Sequence, residues 1–132
     1  MGVCWLRWRG ESAVGQSYRD LIAWQKGIDL VTETYRLTQQ FPREELYGLS
    51  NQLRRAAVSV PSNIAEGEAR FSPREFHHFL ATARGSLVEI ETQIIIAEKL
   101  KYFEPEICQS MLERTAELGR ILNGLIASIN PK

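Results

Sequence analysis

Two adjacent histidines, His77 and His78, are the side chains best suited to bind a metal, because Glu75 precedes His78 in a Glu-x-x-His arrangement. On a helix this spacing places a carboxylate and an imidazole on one face, which is half of a di-iron site in a helix bundle. The complete site needs a second copy from another helix, and the chain contains no other histidine. The sequence therefore predicts no metal site and no cofactor, and it favours surface or interface positions for both histidines.

Nucleophilic chemistry has equally little support. The sequence has no Gly-x-Ser-x-Gly elbow, no Gly-rich phosphate loop and no Cys-His pair at a recognisable spacing. Its two cysteines, Cys4 and Cys108, fit reduced thiols better than a disulfide framework. Catalytic groups can also converge from distant positions, but these patterns together predict a protein that is not an enzyme.

Arginines around one predicted turn form the strongest candidate for a binding site. All five are arginine rather than lysine, and the planar guanidinium makes forked contacts that suit phosphate. The candidates are Arg54, Arg55, Arg70, Arg74 and Arg84. A second interpretation stays open, in which the arginines only form exposed ion pairs with Glu66, Glu68 and Glu75.

A proline interrupts the most unusual stretch of the sequence, positions 54–67. Pro61 cannot donate to the carbonyl of Ala57, so a helix there should kink, or break and restart. In a structural interpretation Ser62 and Asn63 satisfy the freed backbone groups. In a functional one the kink shapes a binding surface near the following turn. The candidate motif residues are Pro61, Ser62, Asn63, Glu66, Gly67 and, further along, Gly85.

Four helical patterns must position these side chains. The first is expected to run from Asp20, as its cap, to about Gln40. Its apolar stripe is Leu21, Trp24, Ile28, Val31 and Tyr35. The second is expected to run from about Arg43 to Glu66, with Gly67 as a C-terminal stop. Its stripe is Leu46, Leu49, Leu53, Ala56, Val60 and Ile64.

The third helix has the clearest start, since residues 72–75 combine a capping box with proline at the first helical position. It should reach about Tyr102, with the stripe Phe76, Leu80, Ala83, Leu87, Ile90, Ile94 and Ala97. Gly85 inside it costs about 1 kcal/mol relative to alanine, so we expect a close helix crossing there. The fourth helix should open at Pro105 and end at Asn130, with the stripe Cys108, Met111, Leu118, Leu122, Leu125 and Ile129.

These patterns predict an all-α protein. No alternating strand pattern of useful length occurs, and three short connections favour antiparallel neighbours. The expected fold is an antiparallel up-and-down four-helix bundle over residues 18–132, with a kink at Pro61. Residues 1–17 have no sustained period and are expected to form a disordered or loosely attached tail.

Length and composition fit one ordinary globular domain, with 132 residues, 44% of them hydrophobic and 24% charged. Sixteen basic residues balance sixteen acidic ones, so any nucleic-acid contact must come from a local patch. The longest aliphatic run, positions 94–97, is too short to span a bilayer, and the first residues lack a secretory signal. We therefore expect a cytoplasmic protein with no membrane span.

The third and fourth helices carry more apolar residues than one stripe requires. The additional residues are Ile95, Ile96, Ile121 and Ile126. A single bundle has difficulty covering so much apolar surface, so a second buried face and self-association are predicted. The alternative is a core face that is merely wide.

The sequence resembles the four-helix bundle proteins encoded by intervening sequences of bacterial 23S ribosomal RNA genes. The resemblance rests on LIAWQK at 21–26, FP at 41–42, YGL at 47–49 and QLRRAAVSVPSNIAEG at 52–67, and it continues through 75–93. It implies a bacterial cytosolic bundle that assembles as a ring-shaped homopentamer. Relatives among accessory proteins of diversity-generating retroelements bind reverse transcriptase and nucleic acid.

Two functions follow as hypotheses. The first is a non-catalytic, oligomeric accessory protein that binds RNA or a nucleic-acid-associated protein through the five arginines. The alternative is a protein-interaction scaffold that does not bind nucleic acid and whose arginines only pair with nearby glutamates.

Overall fold

The computed structural model describes residues 17–131 and places them in four long helices joined by short connections. These are α1 (Ile22–Thr38), α2 (Leu49–Ala69), α3 (Pro73–Lys99) and α4 (Pro105–Ala127). Short 3-10 turns at Tyr18–Asp20 and Arg43–Glu45 precede α1 and α2. The described range contains no strand, which confirms the all-α class and the four-helix fold. The predicted tail lies outside this range except for Ser17, whose hydroxyl accepts a hydrogen bond from the Arg19 N–H in the first turn.

Neighbouring helices run in opposite directions. Near the end of α1, Thr38 contacts Arg54 in the early part of α2, whereas Gly27 nearer the start of α1 meets Pro61 further along α2. α2 and α3 also run in opposite directions, as the contacts Ser59–Ser86 and Gly67–Phe79 show. The contacts Arg84–Asn123 and Glu98–Cys108 show the same for α3 and α4.

The predicted core stripes of α3 and α4 are confirmed. Every residue of both stripes is buried, and Thr115 fills the step in α4 at which the apolar spacing skips a position. Phe41 and Phe103, from the connections after α1 and α3, are also buried, with ring centroids 4.9 Å apart. The two aromatic rings close the core at this end of the bundle.

The predicted core stripe of α1 is wrong in part, since Leu21 is buried but the other members do not form the inner face of the helix. Trp24 and Val31 are only half-buried and Ile28 is 37% exposed. The buried positions in the helix are instead Ala23, Gly27, Leu30, Thr34, Leu37 and Thr38. At Gly27 the helix lies close against Pro61 of α2, which leaves no room for a side chain at that position.

Several predicted helix boundaries also need correction. Asp20 caps the first 3-10 turn rather than α1, because its carboxylate accepts the Ser17 N–H at 2.8 Å. The segment from Arg43 to Gly48 is not helix α2 but a 3-10 turn followed by a hydrogen-bonded turn, which leaves Leu46 exposed. α1 ends at Thr38 rather than near position 40, α3 at Lys99 rather than 102, and α4 at Ala127 rather than 130.

The start of α3 agrees with the prediction. The Ser72 hydroxyl accepts the Glu75 N–H at 3.2 Å, and Pro73 occupies the first turn of the helix. The Glu75 carboxylate does not complete the capping box, because it pairs with Arg70 across the turn.

Candidate nucleic-acid interface

Arg54 is held in one orientation by two neighbours on α1. Its Nε donates to Thr38 Oγ1 at 2.8 Å, and its guanidinium carbon lies 4.9 Å from the centroid of the Tyr35 ring. Thr38 can accept this bond because its own hydroxyl proton is donated to the Thr34 carbonyl at 2.7 Å. Within residues 17–131, no carboxylate forms an ion pair with Arg54. The terminal N–H groups of this fixed guanidinium are therefore available to a ligand.

Arg54 forms part of a recess between the end of α1 and the start of α2, which we call the corner recess. Its volume is about 240 Å³. The lining residues are Thr38, Gln39, Phe41, Pro42, Arg43, Leu46, Ser50 and Arg54. The recess thus brings together two guanidinium groups, hydroxyls and apolar walls.

The carboxylate of Glu45 lies close in sequence to this recess but is engaged elsewhere. It accepts the Leu49 N–H at 3.0 Å and the Tyr102 hydroxyl at 2.8 Å. Both hydrogen bonds lower the pKa of Glu45, and the one from the Leu49 N–H has the larger effect. The bond to the Glu45 carboxylate raises the pKa of Tyr102. Glu45 is not among the residues that line the corner recess.

Arg70 at the end of α2 is engaged by two carboxylates. Its guanidinium lies 2.8 Å from Glu66 and 3.2 Å from Glu75, and it also sits 5.2 Å from the Phe79 ring centroid. The hydrogen bond to Glu66 is the main cause of the raised pKa of Arg70. This arrangement matches the ion-pair interpretation of the sequence, and it leaves Arg70 less available to phosphate than Arg54.

The remaining candidate arginines differ from one another. The Nε of Arg84 donates to Asn123 Oδ1 at 2.6 Å, whereas Arg55 and Arg74 are exposed and have no ion pair with the described residues. Fifteen residues separate Arg55 from Arg70, which at about 1.5 Å per residue is about 22 Å along the helix axis. The structure therefore does not gather the five arginines around the turn between α2 and α3.

α2 continues without a break through Pro61, which is buried. Asn63 donates to the Ser59 carbonyl at 2.7 Å, not to the Ala57 carbonyl that lacks the Pro61 N–H. The side chain of Ser62 is exposed and has no hydrogen bond with residues of the described range. The predicted roles of Asn63 and Ser62 are therefore corrected, and the predicted kink stays a prediction.

The predicted roles of Gly67 and Gly85 are both wrong. Gly67 does not stop α2, which continues to Ala69; it is buried, and a β-carbon on it would come 2.6 Å from the Phe79 Cβ. Gly85 was expected at a close crossing, but beyond the adjacent backbone of its own helix no described atom lies within 4 Å of a β-carbon built there. The tight crossing of α2 and α3 is therefore at Gly67. The turn after α2 is made instead by Phe71, with a positive φ of 53°.

The groups considered for metal or nucleophilic chemistry are dispersed. His78 is exposed, with its ring 5.7 Å from that of Phe79, and residues 17–131 contain no group of three His, Cys, Asp or Glu side chains arranged to hold a metal. Cys108 is buried, and its thiol donates to Glu98 Oε1 at 3.4 Å. Burial, with a smaller effect from Glu98, raises the pKa of this thiol, which disfavours the reactive thiolate.

Sequence reasoning missed Arg43, Leu46 and Ser50 as neighbours of Arg54. The reason is that positions 43–48 were assigned to the second helix, which puts Leu46 in the core. The sequence did contain a signal for the turn, because Gly48 follows Tyr47 shortly after Phe41-Pro42.

None of the helices in the described range has the length and apolar character that crossing a membrane requires.

Comparisons with known proteins agree with this architecture. A family model described as "23S rRNA-intervening sequence protein" matches residues 19–124. Among solved structures, the chain is similar to a crystal structure of a protein with unknown function from the S23 ribosomal protein family of Bacteroides thetaiotaomicron. The TM-score is 0.74 at 20% sequence identity, and the alignment covers 80% of this chain and 96% of that chain. That likeness supports the fold alone.

A search of curated proteins finds no match. The family match nevertheless spans all of α1, α2 and α3 and most of α4. The chain therefore belongs to the family of 23S rRNA-intervening sequence proteins.

Proposed function

We propose that this chain is a non-catalytic, oligomeric accessory protein that binds RNA, or a nucleoprotein partner, through arginines on its surface. The observation that carries the proposal is the position of Arg54. Its guanidinium is oriented by Thr38 and Tyr35 but has no carboxylate partner within residues 17–131. A positive charge that is already ordered and not neutralised loses little side-chain entropy when it contacts phosphate.

Arg55 supports the proposal from the adjacent position in α2, where it is exposed and unpaired among the described residues. Since the whole chain has no net charge, RNA affinity must depend on a few such side chains. We therefore assign the main contribution to Arg54 and Arg55, a smaller one to Arg74, and little to Arg70, which two glutamates already hold.

The test is RNA binding as a function of salt, with a fluorescent ribosomal RNA fragment and the full chain. The double variant Arg54→Ala/Arg55→Ala should bind more weakly, and its slope of log affinity against log salt should be smaller by about two. Arg36→Ala is the matched control, because Arg36 is an exposed arginine paired with Glu33. Equal affinity and equal slope for the double variant and the wild type would remove these two arginines from the proposal.

Self-association is the second part of the proposal, and exposed apolar side chains support it. One face lies on α1 and comprises Ile28 and Tyr35; another lies on α3 and comprises Val88, Ile95 and Ile96. α1 and α3 each pack against α2 and α4, so they occupy opposite corners of the bundle. Two different faces on opposite sides fit head-to-tail contacts, which close into rings when the rotation allows. We propose that identical subunits form a ring of five, which is the pentamer that the family resemblance implies.

Light scattering tests the ring directly. The wild type should have five times the mass of the 15.1 kDa chain. Ile28→Glu and Ile95→Glu should each give monomers, because each variant loses one side of every contact. A mixture of the two variants should form dimers, because one intact contact remains between unlike subunits. A monomeric wild type would exclude self-association, and a mixture that stays monomeric would exclude head-to-tail contacts between these faces.

The alternative function is a protein-interaction scaffold without nucleic-acid binding. The pairing of Arg70 with Glu66 and Glu75 favours it, because these arginine and glutamate charges satisfy one another. A purified chain that does not bind RNA at low salt, yet binds a protein partner, would favour the scaffold. Either function is proposed to operate in the cytoplasm.

A further inference from the structure

We propose that the corner recess binds one nucleotide of single-stranded RNA, with its phosphate beside Arg43 and Arg54 and its base stacked on Tyr47. The inference rests on the proposed function, because it assumes that the chain binds RNA. It adds a specific site, three residues outside the five candidate arginines (Arg43, Tyr47 and Ser50), and a preference for unpaired RNA.

The first argument is the pair of arginines. Arg43 and Arg54 come from different elements, the 3-10 turn and α2, and both line the recess. Neither forms an ion pair with a carboxylate in residues 17–131. Glu45 is held by Leu49 and Tyr102, and Glu44 next to it is exposed and does not line the recess. Two guanidinium groups without a counter-charge in one recess are suited to an anion with several oxygens.

The second argument is Ser50, which lines the same recess although only 3% of the residue is exposed. No hydrogen bond joins its hydroxyl to another described residue, and this oxygen is not one of the fully enclosed polar atoms that lack a partner, so it can be reached from the recess. The hydroxyl can donate to a phosphate oxygen there.

The position of Ser50 in the helix points to the same ligand. It is the second residue of α2, where backbone N–H groups have no partner within the helix. The Glu45 carboxylate already accepts the Leu49 N–H, so the N–H groups of Ser50 and Asn51 are the ones left for a ligand at this helix end.

The third argument is Tyr47, which separates RNA from a simple phosphate ion. The residue is 89% exposed, immediately after Leu46, which lines the recess. Its ring packs against no other aromatic ring among the described residues. Tyr47 does not itself line the recess, but an exposed aromatic ring one residue along the chain from a phosphate site can stack on an unpaired base, and such stacking depends little on the base identity. Bases inside a duplex are already stacked on one another, so this geometry favours a single strand.

The test compares a labelled single-stranded oligouridine with a hairpin duplex of equal charge by fluorescence anisotropy, using the full chain. Tyr47→Ala should weaken binding of the single strand roughly tenfold and leave duplex binding unchanged. Tyr47→Phe should retain the affinity, because the ring remains. Arg43→Ala should weaken single-strand binding and reduce its salt slope by about one, whereas Arg36→Ala should leave both unchanged.

The outcomes separate this inference from the proposed function. If the wild type binds the single strand while Tyr47→Ala and Arg43→Ala bind it equally well, the recess site is overturned and RNA binding elsewhere on the chain stands. If the wild type binds neither RNA at low salt, both proposals fail. Ser50→Ala provides an independent check. Weaker single-strand binding, with a circular dichroism spectrum like that of the wild type, would support direct contact between Ser50 and the phosphate. Unchanged binding would remove Ser50 from the site.

Discussion

Gly27 of α1 lies directly against Pro61 of α2, and a β-carbon at Gly27 would come within 3.2 Å of the Pro61 Cβ. Both residues are buried. The absent side chain of one residue leaves space for the ring of the other, so α1 and α2 approach closely at this point. The contact shows how the Pro61 ring is packed in the interior, against the bare backbone of α1.

Replacing Gly27 by alanine should destabilise the protein. Alanine favours the helix by about 1 kcal/mol over glycine, but overpacking against the rigid Pro61 ring costs about 1 to 3 kcal/mol. We expect a lower midpoint in thermal unfolding followed by circular dichroism. Gly124→Ala is the control, because nothing lies within 4 Å of a β-carbon there, and it should be neutral or stabilising. A Gly27→Ala protein as stable as the Gly124→Ala protein would contradict the close contact.

Gly67→Ala should be more damaging than Gly27→Ala. The added β-carbon would lie 2.6 Å from the Phe79 Cβ and 3.1 Å from the Phe76 Cδ1, so α2 and α3 would have to separate. Urea unfolding should show a loss of about 1 to 3 kcal/mol. Gly85→Ala, the position wrongly expected at a helix crossing, should instead gain up to about 1 kcal/mol. The prediction fails if these two variants shift the urea midpoint in the same direction.

Thr34→Val should stabilise the protein. The Thr34 hydroxyl is fully buried and has no hydrogen-bond partner among the described residues. A methyl group of the same shape removes the desolvation penalty, for an expected gain of about 1 kcal/mol. Thr38→Val is the matched comparison and should lose stability, because Thr38 donates to the Thr34 carbonyl and accepts from Arg54. Equal losses in both variants would indicate that the Thr34 hydroxyl does have a partner.

The hydrogen bond from Tyr102 to Glu45 should contribute to stability only over a limited pH range. Because the pKa of Glu45 is lowered, its contribution is present above the ordinary carboxyl pKa and is lost as pH falls through the folded-state value. Because the pKa of Tyr102 is raised, its contribution is present below the ordinary phenol pKa and is lost as pH rises through the folded-state value.

Thermal unfolding of the wild type and Tyr102→Phe across pH measures this effect. The wild type should be the more stable protein near neutral pH, and the difference should shrink towards both extremes. Tyr47→Phe is the control, since Tyr47 is exposed and its hydroxyl bonds to no described residue. A stability difference that does not change with pH would show that the hydrogen bond to Glu45 is not its source.

The core faces of α3 and α4 were predictable because each helix has one dominant apolar stripe. In α3, seven positions from Phe76 to Ala97 alternate by four and three, and all of them are buried. The other apolar residues of α3, such as Val88, Ile95 and Ile96, form no stripe of comparable length, so periodicity identifies the side buried within the bundle.

α1 was not predictable in this way because it has two candidate faces. The stripe through Trp24 and Ile28 has the larger apolar residues, but the stripe through Gly27 and Thr34 is the one that is buried. The choice depends on how closely α2 approaches, and Pro61 on another helix decides that distance. Side-chain size within one helix carries no information about it.

Periodicity, caps and prolines along the chain were enough to define an all-helical fold, the start of α3 and the residues of two core faces, because these features depend on near neighbours in sequence. Which arginines keep a carboxylate partner was decided only in three dimensions. Arg70 meets Glu75 across a turn, while Arg54 meets Thr38 and Tyr35 on another helix. Electrostatic and hydrogen-bond energies depend on distances between atoms, and helix packing brings together residues that sequence spacing keeps far apart.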